Sequence, residues 1–445
     1  MRSSHNASTP LAAAANLLKT MLGAGLLTLP YAAMKGGALF SALGLTLIAL
    51  LSQKAIKLAV WCAIASNNST THTIENRPPH TPHAQDDNTR KQKLGTQTWS
   101  RIGRAAYGPP GAALALAALV SAQFGVSAAY FDFATATMIT YTGCETSTSV
   151  LTVWAILCLV SMVYELRGVA ILSAVGLLVY VYVIVLVMYF SLEKLLCQGS
   201  GCDPREQVVL VRPSGIGYWF GPALFAFEGM GTAMSIFDSM GEQDPGIFFR
   251  ILVVSYAVIT LLYTGFSTAS YMAWGDDISK SVISSFPHGP FRFSATIALA
   301  IILVLTFALQ MNPIYMFAED VFLPASCKAL WPLLRVFIVA CVALACVVVS
   351  DMEMMVSLTG SVSFSLIGFI LPGVYFLKLR SLPQRVGLLA SSSDVARLSL
   401  LNDEGQSYDR AGPTSVWDVL WCYALILVGC VGGVTGLLSA WNVHF

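Results

Sequence analysis

Two pairs of glycines set in long apolar stretches are the residues of this 445-residue chain best suited to chemistry. Gly23-Ala24-Gly25, followed by Pro30, interrupts the first stretch, and Gly229-Met230-Gly231, preceded by Glu228, interrupts the sixth. Glycine weakens a helix by up to about 1 kcal/mol against alanine and lets the backbone unwind. At membrane depth an unwound backbone is tolerated only where it is buried in protein or lines a cavity. The N–H groups freed at the start of a half-helix form an anion site that suits a carboxylate, and the carbonyls freed on the partner half suit an ammonium or a cation. An amino acid carries both groups. Gly23, Ala24 and Gly25 are therefore the candidate carboxylate site, Gly229 and Gly231 are candidates to offer carbonyls to the amino group, and Phe227, which abuts the break, is a candidate substrate-binding residue that could also close the site. The competing explanation is packing, since glycines also let membrane helices approach closely. Interruptions at two matching points, five apolar stretches apart and one beside a carboxylate, favour a shared binding site.

Glu228 is the first candidate for ion coupling. A charge near the bilayer midplane costs several kcal/mol unless paired or hydrated, so this carboxylate either changes protonation or has a partner. A group that changes protonation can take a proton on one side and release it on the other; hydrogen bonding to the unwound backbone is the competing role. Asp132 is the second candidate, nearer the outer end of its stretch. Tyr130 and Gln310 are candidates to gate or line the pathway. Lys19, Lys54 and Lys57 lie where their stems can snorkel to the interface. Cys144, Cys197 and Cys202 fall on one outer face, where one disulfide is expected without the pair being fixed.

The composition calls for a membrane around these residues. Hydrophobic side chains make up 56% of the chain and charged ones only 11%, against about a quarter in soluble proteins. The apolar residues come in eleven stretches of the length a bilayer needs: 11–33, 39–65, 111–141, 150–164, 169–192, 215–237, 248–274, 293–317, 333–350, 354–377 and 416–441. They read as helices, because alternating strand periodicity is absent. Most loop lysines and arginines, Arg335 among them, fall on the cytosolic side if the N-terminus is cytosolic, which puts the C-terminus in the lumen or outside. Residues 1–10 form a cytosolic N-terminus and 11–441 the transmembrane domain, in which 11–192 and 215–378 are two inverted repeats and 416–441 is an added helix. The polar segments 66–110 and 379–415 read as cytosolic loops.

Longer runs resemble a known family. The run through Asn16, Lys19, Gly23, Gly25 and Pro30, followed by Gly36 and Gly37, resembles the first-helix signature of the amino acid/auxin permease superfamily. Phe225 through Gly231, continuing to Asp238 and Met240, resembles the sixth-helix signature of its proton-coupled and vacuolar amino-acid transporter branch. Gln123-Phe124-Gly125 with Tyr130, Gln310 through Pro313, and Thr359-Gly360-Ser361 with Pro372 are similar to that branch as well. The resemblance implies an all-α, eleven-helix LeuT-type fold with helices 1 and 6 broken. Two positions depart from the pattern: Ser235 stands where the branch has proline, and Ala136-Thr137 where it has an Asp-Asn pair, with Asp132 one turn earlier on the same face.

These readings predict a secondary transporter of small neutral amino acids, working by alternating access and coupled to protons. Sodium coupling on the same fold is the near alternative, and a membrane-bound amino-acid sensor that reports through its loops is the alternative from another class. A vacuolar, lysosomal or plasma membrane would suit either. No Ser/His/Asp, metal-ligand or phosphate-cradling constellation suggests an enzyme, a metal site or a cofactor. A net charge of +1 gives no footprint for nucleic acid.

Overall fold

The apolar stretches are wound as helices, the only open-ended element that satisfies its own backbone in lipid. The computed structural model describes residues 10–74, 87–162, 169–196, 208–227, 229–240, 245–323, 329–349, 351–381 and 416–444, and among them there is no strand. In chain order the helices are α1 (Pro10–Met21), α2 (Gly25–Gly36), α3 (Ala38–Ile74), α4 (Asp87–Thr142), α5 (Thr146–Ser161), α6 (Val169–Leu196) and α7 (Ile216–Ala226). They continue with α8 (Met230–Ser239), α9 (Pro245–Trp274), α10 (Pro290–Phe322), α11 (Trp331–Val348), α12 (Met352–Leu358), α13 (Leu371–Arg380) and α14 (Val416–His444).

Eight described helices are long and apolar enough to cross a membrane, and a ninth span is made if α1 and α2, bent by 54°, count together. The protein is an integral membrane protein. Two of the expected stretches fall outside that count. The fourth is α5, apolar but only 16 residues long, and the sixth is divided into the short helices α7 and α8.

The expected loop 66–110 is helical at both ends. α3 continues to Ile74, and α4 starts at Asp87 and kinks where Gly108 adopts φ 71 before Pro109 and Pro110. Positive φ is cheap only for glycine, and the two prolines remove the donors that would continue the winding. Trp99, Ile102 and Ala106, upstream of the kink, are buried on one helical face, which holds this part against the bundle. In the other expected loop, 379–415, α13 reaches Arg380 and residues 382–415 lie outside the described residues. Between α12 and α13 the helix widens to π-winding over Thr359–Phe364 and Leu366–Ile370. Pro372 has no N–H to give and crowds the carbonyl one turn back, and the wider turns relieve that clash.

Two charged residues depart from the expected placement. Lys54 does not snorkel: its Nζ is 2.6 Å from Asp418 Oδ1 of α14. Arg335 is no loop residue but lies in α11, 5% exposed. Its guanidinium donates to Glu319 Oε1 and to the Ser161 carbonyl, both at 2.8 Å, and stacks over Tyr315 and Trp331. Long apolar side chains such as Leu43, Leu261 and Leu344 are exposed on the outside, as lipid contact requires.

For the site the relevant packing is that of α2 on α7, α1 on α9 and α8 on α4. Unbroken α9 runs past both interrupted elements.

Candidate functional site

At the first break α1 ends at Met21 and α2 begins at Gly25. The N–H groups of Leu26 and Leu27 reach back only three residues, to the carbonyls of Gly23 and Ala24, both at 3.1 Å. Those of Gly23, Ala24 and Gly25 make no hydrogen bond among the described residues. Three donors thus precede the first intrahelical bond of α2, where the helix dipole adds positive potential. Gly25 is needed for a close approach: a Cβ there would come within 2.9 Å of Ala226 Cα and of Phe225 Cδ1 on α7.

At the second break α7 ends at Ala226, Phe227 leaves helical geometry, and α8 begins at Met230 with Gly229 as its N-cap. Glu228 lies outside the described residues. The Gly229 carbonyl already accepts the Ala233 N–H at 2.7 Å, and the Gly231 carbonyl faces the Ser235 hydroxyl at 3.4 Å. The expectation that Gly229 and Gly231 supply free carbonyls therefore fails. They open the first turn of α8, whose N–H groups lack intrahelical partners, whereas unused carbonyls gather in the last turn of α7.

The two breaks face each other. A Cβ on Gly229 would be 3.2 Å from Met21 Cε and 3.6 Å from Tyr256 Oη. Phe227, buried, stacks on Tyr256 at 6.2 Å between centroids and meets Tyr263 edge-on at 5.4 Å. Tyr263 donates its hydroxyl hydrogen bond to the Met21 carbonyl. Tyr130 reaches the first break, its Oη 3.7 Å from where a Cβ of Gly23 would stand, and it is hydrogen-bonded to Tyr180. Gln310 donates to Gln123 Oε1 at 2.5 Å, and the Gln123 amide nitrogen is 3.8 Å from a Cβ on Gly231. A cavity of about 20 Å³, room for about one water, opens beside Phe227, Gly229 and Tyr256.

Gly23, Ala24, Gly25, Tyr130, Phe227, Gly229, Gly231 and Gln310 are thus gathered around one place. Asp132 is elsewhere: it accepts the backbone N–H of Met352 at the start of α12, with Asp351 nearby. That is a capping position. Cys144 is half-buried, and its possible partners Cys197 and Cys202 lie outside the described residues. Among the described residues no group of three or more His, Cys, Asp or Glu could hold a metal ion. Tyr256 and Tyr263 were not singled out by sequence. Their spacing of seven places both hydroxyls on one face of α9, a signal that hydrophobicity masks.

At one end of the bundle Lys280, between α9 and α10, forms an ion pair with Asp351, the N-cap of α12. Burial pushes the Lys280 ammonium down, but the hydrogen bond and charge of Asp351, with Glu353 behind it, outweigh burial and hold it above its ordinary range. Thr98 donates to Asp238 Oδ2 at 2.8 Å, tying α4 to the end of α8.

The sequence pattern described as "Transmembrane amino acid transporter protein" matches residues 6–387. The chain is similar to amino acid transporter AVT3C of Arabidopsis thaliana, 30% identical over 40% of this chain and 39% of that protein. It is also similar to vacuolar amino acid transporter 3 of Saccharomyces cerevisiae, 26% identical over 81% of this chain and 50% of the relative. Vacuolar amino acid transporter 4 of the same yeast is 24% identical over 70% and 41%. The chain spans half or less of the length of each of these relatives.

Proposed function

This chain belongs to the transmembrane amino acid transporter family, and from that premise we propose that it moves small neutral amino acids across a vacuolar membrane by alternating access, coupled to protons. The substrate carboxylate lies on the N–H groups of Gly23, Ala24 and Gly25. Its amino group lies on the carbonyls that end α7, and Phe227 covers it. The observation that carries this reading is the meeting of the two breaks, with three buried or half-buried N–H groups that have no partner among the described residues, close to the rings of Phe227, Tyr256 and Tyr263. Such donors are costly unless an anionic group satisfies them in part of the cycle.

The architecture that suits this reading is an eleven-helix LeuT-type bundle. The α1–α2 pair is the first span, α5 the short fourth and the α7–α8 pair the sixth, so that the breaks occupy equivalent places in two inverted repeats. The N-terminus is cytosolic and the C-terminus lumenal. The cavity beside Phe227, Gly229 and Tyr256, about 20 Å³ and lined by none of Gly23, Ala24 and Gly25, admits about one water. An amino acid therefore enters only when the half-helices part, as alternating access demands. Vacuolar location is favoured by the names of the yeast relatives.

Glu228, adjoining the second break in sequence, is the proton carrier in this reading, and Asp132 a cap. Uptake into proteoliposomes at several imposed pH gradients tests both. Glu228→Gln should flatten the dependence on the gradient, while Asp132→Asn, which keeps an acceptor for the Met352 N–H, should retain it. A Glu228→Gln protein with wild-type dependence would remove Glu228 from coupling, and dependence on sodium instead of pH would replace the driving ion.

A further inference from the structure

A helix that stops inside a protein strands the carbonyls of its last turn, and in a buried place only a side chain or a trapped water can satisfy them. At the end of α1 the Met21 carbonyl is met by the hydroxyl of Tyr263, a fully buried residue of α9. The ring of the same tyrosine lies edge-on against Phe227 at the second break, with centroids 5.4 Å apart. Met21 in turn directs its side chain at Gly229, where a Cβ would stand 3.2 Å from its Cε. These contacts form a closed circuit from the end of α1, through Tyr263, to the end of α7, and back through Gly229 to Met21. The element that carries Tyr263 is a continuous 30-residue helix, a firm reference for two elements that are each interrupted.

We propose that Tyr263 is a positioning residue: by holding the Met21 carbonyl while bracing Phe227, it sets the direction in which the N–H groups of Gly23, Ala24 and Gly25 point and so the affinity for the substrate carboxylate. This rests on the transport reading given above. Met21 is two residues from the first of those donors, so a rotation of its peptide plane turns the donors with it. Tyr263 touches no atom assigned to the substrate, and its influence passes through the backbone.

The test compares Tyr263→Phe with Tyr271→Phe in the full chain reconstituted in nanodiscs and proteoliposomes. Tyr271 is equally buried on α9, but its hydroxyl accepts the Val209 N–H on the outer side, at 3.1 Å. Each variant loses one hydrogen bond made by a buried tyrosine hydroxyl. With alanine as probe substrate, Tyr263→Phe should raise KM five- to tenfold with the maximal rate held within twofold. Its amides 22–27 should exchange hydrogen at least fivefold faster. Tyr271→Phe should leave both quantities as in the wild type. Equal KM and equal exchange in the two variants would overturn the proposal, as would a fall in maximal rate with KM unchanged. Absence of uptake of any amino acid by the wild-type chain would remove the transport reading instead, and the exchange of amides 22–27 would still decide whether Tyr263 holds the break. Should Tyr263→Phe fail to accumulate, Phe227→Leu removes the ring it braces and, without substrate, should speed the hydrogen exchange of amides 22–27; exchange at the wild-type rate there overturns the proposal.

Discussion

Replacing Gly25 by alanine puts one methyl group where the two breaks come closest. The new carbon would stand 2.9 Å from Ala226 Cα and Phe225 Cδ1 and 3.2 Å from Ala226 N. Carbon atoms prefer about 3.5–4.0 Å, so α2 and α7 must separate by roughly half an ångström or more, and main-chain atoms cannot rotate out of the way. Overpacking of this kind costs about 1–3 kcal/mol. Alanine's better helix propensity returns at most about 1 kcal/mol, and less at the first helical position. A net cost of about 1–2 kcal/mol, falling on the state in which the breaks close on substrate, corresponds to roughly a 5- to 30-fold loss of initial uptake rate. Gly265→Ala in α9 is the control, because a Cβ there meets nothing within 4 Å. It should change uptake by less than about twofold. Initial rates in proteoliposomes, normalised to monodisperse protein, read both variants. Gly25→Ala with more than half of the wild-type rate would refute the close approach on which the site depends, and so would an equal loss in Gly265→Ala.

Other perturbations probe the frame around the site. The Lys280–Asp351 pair is partly exposed, with side-chain exposures of 49% and 19%, so Lys280→Met should cost no more than about 1 kcal/mol. Because the pair raises the lysine above its ordinary value of 10.5, its contribution is fully present below that value and is lost only as pH rises through the raised one. The difference in melting temperature between the wild type and Lys280→Met should therefore stay flat from roughly pH 6 to pH 9; a difference that disappears within that window contradicts the assignment. Arg335→Lys should lower the melting temperature markedly, by an amount equivalent to about 2–4 kcal/mol, since lysine cannot serve Glu319 and the Ser161 carbonyl together while stacking between two rings. Wild-type thermal stability in that variant would count against a structural role for Arg335.

The breaks were legible because their cause is local. Gly23, Gly25 and the sequence around Gly229 signal unwinding by their own backbone chemistry, and the apolar lengths signal helices whatever surrounds them. Contacts made by crossing helices were not. Tyr263 looks like one more aromatic in an apolar run, and its meeting with Met21 and Phe227 depends on how α9 crosses α1 and α7. In sequence Arg335 reads as a loop charge and Lys54 as a snorkelling lysine, and only the packing of α10 and α14 brings Glu319 to the one and Asp418 to the other. Assigning free carbonyls to Gly229 and Gly231 followed residue type where helix direction decides: glycines that open a helix present N–H groups, and carbonyls are stranded only where a helix ends. The helix before Gly108 could have been found, because Trp99, Ile102 and Ala106 recur at helical spacing within a segment whose polarity suggested a loop.

The central claim is that one amino acid bridges the two breaks. A density map of the full chain in lipid nanodiscs with saturating alanine tests it most directly. The account predicts substrate density between Gly25 and Phe227, its carboxylate at about 2.7–3.2 Å from the amide nitrogens of Gly23, Ala24 or Gly25 and its amino group toward the last carbonyls of α7. Ordered alanine bound elsewhere in the bundle, with those three amides still unoccupied, would contradict it.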